Sequence, residues 1–179
     1  MKDKNNKIDK DNKDRRLFIY DIDEKDEDIF SGVGSDDFLF SASPAVKSCI
    51  GCFGCWIKTP GKCVLKDRCS VIPGYISKSS EIIIVTPLLY GGYSSNIKAV
   101  LDRSIGYVLP YFQIVSGEMH HKMRYQNPFK LSVYFYGECD NEEKDIAQRL
   151  VKANAVNLGA GSYDVYFYDS VDSIRKVIG

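Results

Sequence analysis

The sequence predicts an α/β domain in which a five-stranded parallel sheet lies between two layers of helices. Short apolar segments alternate five times with segments that favour helices, and this order is typical of parallel sheets with helices on both faces. Residues 81–86 are β-branched with no polar alternation, as expected for a strand that is covered on both sides. We therefore expect one domain over residues 17–179.

Five segments have the composition of strands. They are compact apolar runs, several rich in β-branched or aromatic residues, and each is followed by turn residues or acids. The predicted strands are residues 17–22, 37–41, 81–86, 130–136 and 163–168.

The segments between these strands favour helices. An acid-rich stretch can form one short helix, and a Pro-Gly pair weakens the next one. The third helix places Ile97, Val100 and Leu101 on one side, and the fourth places Ile146, Leu150, Val151 and Ala155 on its apolar face. Asp140 or Asn141 can cap the fourth helix, which Gly159 ends. The predicted helices are residues 23–30, 70–79, 94–103, 141–158 and 171–178.

Two stretches fit neither class. Residues 1–16 are almost entirely charged or amide side chains, so we expect a flexible tail. Residues 104–129 read as a long aromatic connection, and a loop of that length carries a function or an interface. We expect its two histidines, His120 and His121, to be exposed loop residues rather than metal ligands.

The charge balance excludes some partners. The chain has 24 basic and 24 acidic side chains, so no basic surface is expected for nucleic acid or an anionic membrane. No apolar run is long enough to span a bilayer, and the charged N-terminus lacks an apolar signal core. Five of the six cysteines fall between residues 49 and 69. This clustering is typical of free, reduced thiols rather than of disulfides that join distant elements. We expect a cytoplasmic protein.

The segment with the most distinctive chemistry contains four thiols and the only tryptophan within fifteen residues. Cys49, Cys52, Cys55 and Cys63 follow the pattern C-x2-C-x2-C-x7-C. Closely spaced thiolates with one more distant are typical ligands of an iron–sulfur cluster. Zinc usually takes two separated C-x2-C pairs, so it is disfavoured. A tight loop of buried free thiols without metal remains open.

Three loops follow the second, third and fourth predicted strands. They are the cysteine segment and residues 87–96 and 137–141. Because the carboxyl ends of parallel strands meet at one edge of the sheet, we expect all three loops to line one crevice there.

Two stretches resemble the flavodoxin-like superfamily, in particular its NAD(P)H-dependent FMN reductase and iron–sulfur flavoprotein group. One is CIGCFGCWIKTPGKCVLK, residues 49–66, and the other is TPLLYGGYSSNIKAVLDR, residues 86–103. The resemblance implies a flavodoxin-like three-layer sandwich, FMN, a possible [4Fe-4S] cluster and NAD(P)H as a possible electron donor. It places the flavin ring against the loops after strands three and four. The implied ring-binding residues are Pro87, Leu88, Leu89, Tyr90, Gly91, Gly92, Tyr93, Gly137, Glu138 and Cys139.

One part of the sequence departs from that group. Flavodoxin-like proteins hold the FMN phosphate in a loop rich in Ser, Thr and Gly after the first strand, where helical N–H groups are free. Here the first strand runs into six carboxylates within residues 21–28. Each would cost about 1 kcal/mol against a phosphate charge at ~5 Å even in water. We therefore expect the usual phosphate cradle to be absent.

The sequence leaves three functions open, of which the third is a thiol redox protein that uses Cys52 and Cys55. The first is an FMN-linked oxidoreductase or electron-transfer flavoprotein with an optional cluster and a redox partner. The second is a cofactor-free flavodoxin-fold binding or assembly protein. In each case the aromatic residues 104–129 can build a homodimer or larger homo-oligomer, since aromatic side chains are enriched in interface cores.

Overall fold

The computed structural model describes residues 15–178, and five of its strands form the predicted parallel sheet. These strands are β1 (Arg16–Tyr20), β2 (Phe38–Ser41), β3 (Glu81–Pro87), β6 (Lys130–Tyr136) and β7 (Ser162–Tyr168). Their order across the sheet is β2-β1-β3-β6-β7, and every pairing is parallel. The strand order reverses between β1 and β3, which is the position where such sheets bind ligands.

Helical segments cover both faces of the sheet. The larger face carries α1 (Gly54–Ile57), α2 (Ile72–Ile76), α3 (Ser95–Arg103) and α4 (Asn141–Leu158). The smaller face is covered by a 3-10 helix at Glu24–Phe30 and by α5 (Val171–Ile178), which pack on each other and on β1 and β3. Two further 3-10 helices, Arg68–Val71 and Ser104–Tyr107, connect elements of the larger face. The three-layer prediction is therefore confirmed.

Local chemistry explains where the two long helices begin and end. The Ser94 hydroxyl accepts from the backbone N–H of Ile97 at the start of α3. Asp140 and Glu143 form a reciprocal capping box at the start of α4, and Gly159, with a φ of 70°, ends it. Of the predicted apolar face of α4, Val151 and Ala155 are buried, together with Ala147, whereas Ile146 is exposed.

Residues 104–129 differ from the predicted loop. They contain an antiparallel hairpin of β4 (Val108–Val115) and β5 (Glu118–Met123), joined by a two-residue turn at Ser116 and Gly117. Both turn residues have positive φ, 52° and 87°, as a tight hairpin turn requires. The hairpin stands apart from the main sheet.

The predicted tail lies outside the described residues up to residue 14. Arg16, the last residue of that prediction, instead begins β1 and pairs with Asp37 at 2.8 Å. Within residues 15–178, no helix has the length and hydropathy to cross a membrane.

Candidate functional site

The cysteine segment folds into a compact loop around α1. Gly51 and Phe53 adopt left-handed backbone angles, with φ values of 63° and 55°, which turn the chain into this short helix. After the helix, the N–H of Gly61 donates to the carbonyl of Cys55 at 2.9 Å. This hydrogen bond folds the chain back, so that the segment carrying Cys63 returns beside Cys55.

All four cysteines of the motif line one cavity of about 590 Å³. Cys49 and Cys52 are exposed at its rim, Cys63 is half-buried and Cys55 is buried. The rest of the wall comes from α1, the C-terminal ends of α3 and α4, and the hairpin, and most of it is apolar. Its side chains include Phe53, Trp56, Val64, Leu65, Leu101, Ile105, Val108, His121, Asn154 and Leu158.

A buried ion pair forms the floor of this cavity. The guanidinium of Arg103 donates to both carboxylate oxygens of Asp67, at 2.6 and 2.7 Å, and also to the carbonyls of Lys47 and Leu65. Its side chain is fully buried, and its Nε has no hydrogen-bond partner within the described chain. Hydrogen bonding from Arg103 lowers the pKa of Asp67. The charge of Arg103 is thus balanced by Asp67, and its Nε–H is the one donor of this buried pair that remains without a partner in the described chain.

Burial keeps the inner thiols protonated. Burial raises the pKa of Cys55, and the neighbouring Cys63 raises it further. Cys69 lies behind the cavity in the core, where burial raises its pKa to about 11. Thiolates bind metal and thiols do not, so a cation is needed to deprotonate Cys55 at neutral pH.

The chemistry of these donors suits a cluster better than a single ion. Within residues 15–178, no three His, Cys, Asp or Glu side chains come close enough together to hold one metal ion. Two sulfurs on one zinc ion lie within about 4.6 Å of each other, since each Zn–S bond is ~2.3 Å. An iron–sulfur cluster takes each thiolate on a different iron atom. Four cysteines line one cavity here, so the number and type of donors match those that such a cluster takes.

The loop after β3 is a tight turn. Leu89 and Gly92 exchange two backbone hydrogen bonds, of 3.0 and 2.9 Å. Tyr90 and Gly91 between them have φ values of 52° and 74°, as in a type I′ turn. Gly91 is required here, because a Cβ at this position would lie 2.7 Å from the Ile146 side chain.

The side chains of the loop after β3 point in different directions. Leu88 is buried in the core, and Tyr93 stacks on Phe135 while its hydroxyl accepts from Asn154. Burial raises the pKa of Tyr93 to about 12. Leu89 and Tyr90 are exposed, Tyr90 by 93%. Among the predicted ring-binding residues of this loop, Leu89 and Tyr90 present the most exposed side chains, with the half-buried Pro87 before them.

The loop after β6 presents few groups that a flavin ring could contact. The N–H of Gly137 already donates to the carbonyl of Tyr168, and Glu138 is exposed. Cys139 is half-buried and packs against the main core, which agrees with a packing role.

The end of β1 is acidic in the folded protein as well. The 3-10 helix at Glu24–Phe30 has three acids in its first turn and no side-chain cap. Asp21 accepts from the Asn96 amide at 3.1 Å, and the Tyr136 hydroxyl donates to the Asp21 carbonyl. Burial raises the pKa of Tyr136 to about 12, and Asp21, Asp23 and Asp26 contribute to that rise. The residues at this position do not fit a phosphate group.

Comparison with solved structures agrees with the strand order. An NAD(P)H:quinone oxidoreductase from Methanothermobacter marburgensis covers 92% of each chain with a TM-score of 0.57 at 13% identity. An FMN-dependent NADH-azoreductase from Bacillus anthracis covers 92% of this chain and 94% of its own, with a TM-score of 0.55 at 14% identity. A WrbA-like flavodoxin from Agrobacterium tumefaciens covers 90% of each chain with a TM-score of 0.50 at 11% identity. The chain has the flavodoxin-like fold.

Sequence comparison finds a match over a shorter part of this flavodoxin-like chain. A stretch of 68 residues is 34% identical to the iron-sulfur flavoprotein MJ1083 of Methanocaldococcus jannaschii. The match covers 38% of this chain and about a third of that protein. No family model matches the sequence.

The predicted meeting of three loops at one edge of the flavodoxin-like sheet is wrong for the cysteine segment. Gly91 lies against Ile146 near the start of α4, whereas Leu158 at the end of α4 lines the cysteine cavity. Twelve residues of α-helix separate these two points by roughly 18 Å. After β2 the chain must return to the opposite edge of the sheet to begin β3, and the cysteine segment lies on that return path.

Sequence reasoning also missed several side chains of the cavity. Arg103 is one of them, and its spacing from Ile97 and Val100, which places it on the buried face of α3, is the signal that could have found it. The two histidines are not exposed loop residues. The His120 side chain is 9% exposed and contacts Asn157, while His121 packs between Trp56 and Phe112.

Proposed function

We propose that this chain is an electron-transfer protein in which Cys49, Cys52, Cys55 and Cys63 hold an iron–sulfur cluster. The observation that carries the proposal is that all four thiols line one mostly apolar cavity above a buried guanidinium. The partial likeness to an iron-sulfur flavoprotein supports it. When bound, such a cluster supplies one-electron transfer at a potential set by its charge, hydrogen bonds and solvent exposure.

The described residues contribute to that function through charge and solvent access. The cluster with its thiolates would be anionic, and the Nε–H of Arg103, whose charge is balanced by Asp67, is a buried donor without a partner in the described chain. Hydrogen bonds near the sulfurs raise a cluster's reduction potential. Trp56 and Val64 contribute apolar surface to the cavity wall, while the exposed Cys49 and Cys52 leave the cavity accessible to a redox partner.

The test is anaerobic reconstitution with ferrous iron and sulfide. The wild-type chain should bind about four iron and four sulfide per chain and gain a broad visible absorbance that bleaches on reduction. Cys52→Ser and Cys63→Ser should lose most of the bound iron, and Cys139→Ser is the matched control because it lies outside the cavity. Equal iron content in all four proteins, or none in the wild type, would refute the assignment.

For the flavin, we expect the isoalloxazine ring to contact the loop after β3, without a binding site for the FMN phosphate. FMN-dependent proteins share the fold, and Leu89, Tyr90 and the backbone between them are available to a flat ring. Because Asp23 and Glu24 repel a phosphate, FMN should bind no more tightly than riboflavin, which lacks that group. Flavin fluorescence titrations measure both affinities. The double variant Asp23→Asn, Glu24→Gln should strengthen FMN binding only, and a much tighter binding of FMN by the wild type would contradict this.

A second function, binding or assembly without a cofactor, is favoured by one observation, the acidic residues at the end of β1 where a phosphate would bind. If the chain takes up neither iron nor flavin, the fold serves as a cofactor-free binding or assembly module. NAD(P)H as donor is the remaining part of the oxidoreductase proposal. Its test is anaerobic oxidation of NADH or NADPH by the reconstituted protein, with the Cys52→Ser variant as control.

A further inference from the structure

The hairpin of β4 and β5 forms one wall of the cysteine cavity and depends on its contacts with the main body. A two-stranded sheet is only marginally stable in water by itself, so these contacts decide where the hairpin lies. At its base, the Trp56 indole N–H donates to the carbonyl of Val108 at 3.0 Å. Nearer the turn, the Nδ1 of His120 lies 2.9 Å from the Oδ1 of Asn157 at the end of α4. Among the side-chain hydrogen bonds of the described chain, this is the one that joins the outer part of the hairpin to the main body.

The ring of His120 is buried, and one of its two nitrogens has no hydrogen bond. The side chain is 9% exposed, and its Nε2 is enclosed without a partner within the described residues. The Oε2 of Glu118 lies 3.4 Å from this nitrogen. Because an unpaired buried polar atom costs free energy, a state that gives Nε2 a partner is favoured.

Both oxygens beside the ring are hydrogen-bond acceptors. A neutral imidazole has one N–H and one bare nitrogen, so it donates to Asn157 through Nδ1 and turns a bare Nε2 toward the Glu118 carboxylate. The imidazolium carries an N–H on both nitrogens and donates to both oxygens at once. The hydrogen bond to Glu118 then joins opposite charges, which makes it the stronger of the two.

We propose that His120 is a pH-sensitive latch, which on protonation holds the hairpin against the end of α4 and tightens this wall of the cysteine cavity. Histidine is the side chain that changes its charge between about pH 5 and 8, so the latch closes in mild acid and loosens in mild base. It acts between the hairpin and α4, whereas Cys49 and Cys52 lie on the cysteine segment and stay exposed. This inference goes beyond the proposed function, because it needs neither iron nor flavin.

The other groups that face His120 are neutral, apart from one lysine. Its cross-strand partner on β4 is Gln113, and its contact on α4 is Asn157. The positions three and four residues before Asn157, which share that face of the helix, are uncharged as well. On β5, Glu118 and Lys122 lie on the same side of the strand as His120. Glu118 can accept directly from the charged ring and Lys122 can only repel it, so the latch depends on Glu118.

The experiment uses Trp56, the single tryptophan of the chain, to report how closely the hairpin is docked. Acrylamide is neutral, so its quenching of the Trp56 fluorescence measures access rather than charge. In the full wild-type chain, the quenching constant should be at least about twofold smaller at about pH 5.5 than at about pH 8. In His120→Gln it should be equal at both pH values, because glutamine does not titrate.

A matched pair of acid substitutions tests the role of Glu118. Glu118→Gln should lose at least about half of the pH response, because the charge-assisted hydrogen bond is lost. Glu138→Gln, which removes an exposed acid outside the hairpin, should keep the full response. Circular dichroism checks that each variant is folded.

Amide hydrogen exchange gives an independent readout of the same proposal. For residues 118–123, exchange should be at least about fivefold faster in His120→Gln than in the wild type at about pH 5.5 and equal at about pH 8, because the latch closes only in acid. For residues 171–178 on α5, the two proteins should exchange equally at both pH values. Cys63→Ser should lose iron yet keep the pH response, which separates this proposal from the cluster assignment. A wild-type quenching constant that is independent of pH, or a pH response that survives in His120→Gln, would each overturn the proposal.

Discussion

Asp67→Asn tests whether the buried ion pair holds the cysteine segment in place. Asp67 precedes the 3-10 helix at Arg68–Val71, and Arg103 ends α3, so the pair joins the cysteine segment to the main body. The substitution keeps the side chain's size, but it removes the counter-charge of the buried Arg103 guanidinium and replaces one of the two carboxylate acceptors with an NH2 group.

The expected loss in the free energy of unfolding follows from the burial of the Arg103–Asp67 pair. Removing one partner of a buried pair costs 3–5 kcal/mol, and because Asp67 keeps 18% of its side-chain surface exposed we expect about 3 kcal/mol. With a urea m-value of ~1–3 kcal/mol/M, the unfolding midpoint should fall by roughly 1–3 M. Asp102→Asn breaks the exposed Lys98–Asp102 pair on the same helix and should cost less than about 0.5 kcal/mol.

The destabilisation caused by Asp67→Asn should depend on pH, and the pKa of Asp67 gives the direction. The pKa of Asp67 is lowered in the folded protein, so its contribution is complete above its usual pKa of 3.8 and is lost as pH falls through the lowered value. The stability difference between wild type and Asp67→Asn should therefore shrink in acid. A loss below about 1 kcal/mol at pH 7, or a difference that grows in acid, would refute the reasoning.

Three further predictions follow from single contacts. Gly91→Ala should destabilise by about 2 kcal/mol in urea unfolding, because the residue has positive φ and its new Cβ would collide with Ile146; an unchanged midpoint would contradict this turn. Asp140→Ala should cost about 1 kcal/mol through loss of the α4 cap, and no loss would argue against the capping box. In the metal-free protein at pH 8, Cys55 should alkylate at least about tenfold more slowly than Cys49, because burial raises its pKa and blocks the reagent; equal rates measured by peptide mass spectrometry would oppose this.

The sheet was predictable because its signals are local. Residues 81–86 are apolar on both faces, and the cap and Gly159 of α4 bound that helix within one residue. The hairpin could not be predicted in the same way, because its local signal is confined to the Ser116-Gly117 turn pair. Residues 108–115 and 118–123 do not alternate regularly between apolar and polar side chains, and Pro110 interrupts the first of these segments.

The position of the cysteine segment could not be read from the strand order alone. A connection between two parallel strands leaves one edge of the sheet and returns to the other, and the sequence does not say where along that path a motif comes to rest. The path is fixed by long-range contacts, such as Arg103 with Asp67 and the Trp56 indole N–H with the Val108 carbonyl. Contacts at such sequence separations leave no periodic signal.

Iron and sulfide content after anaerobic reconstitution tests the central claim most directly. We expect about four of each per chain in the wild type, most of it lost in Cys52→Ser and all of it retained in Cys139→Ser. A wild-type chain that stays free of iron, or iron that is independent of the cavity cysteines, would contradict the claim that this flavodoxin-like fold carries its redox centre in the cysteine cavity.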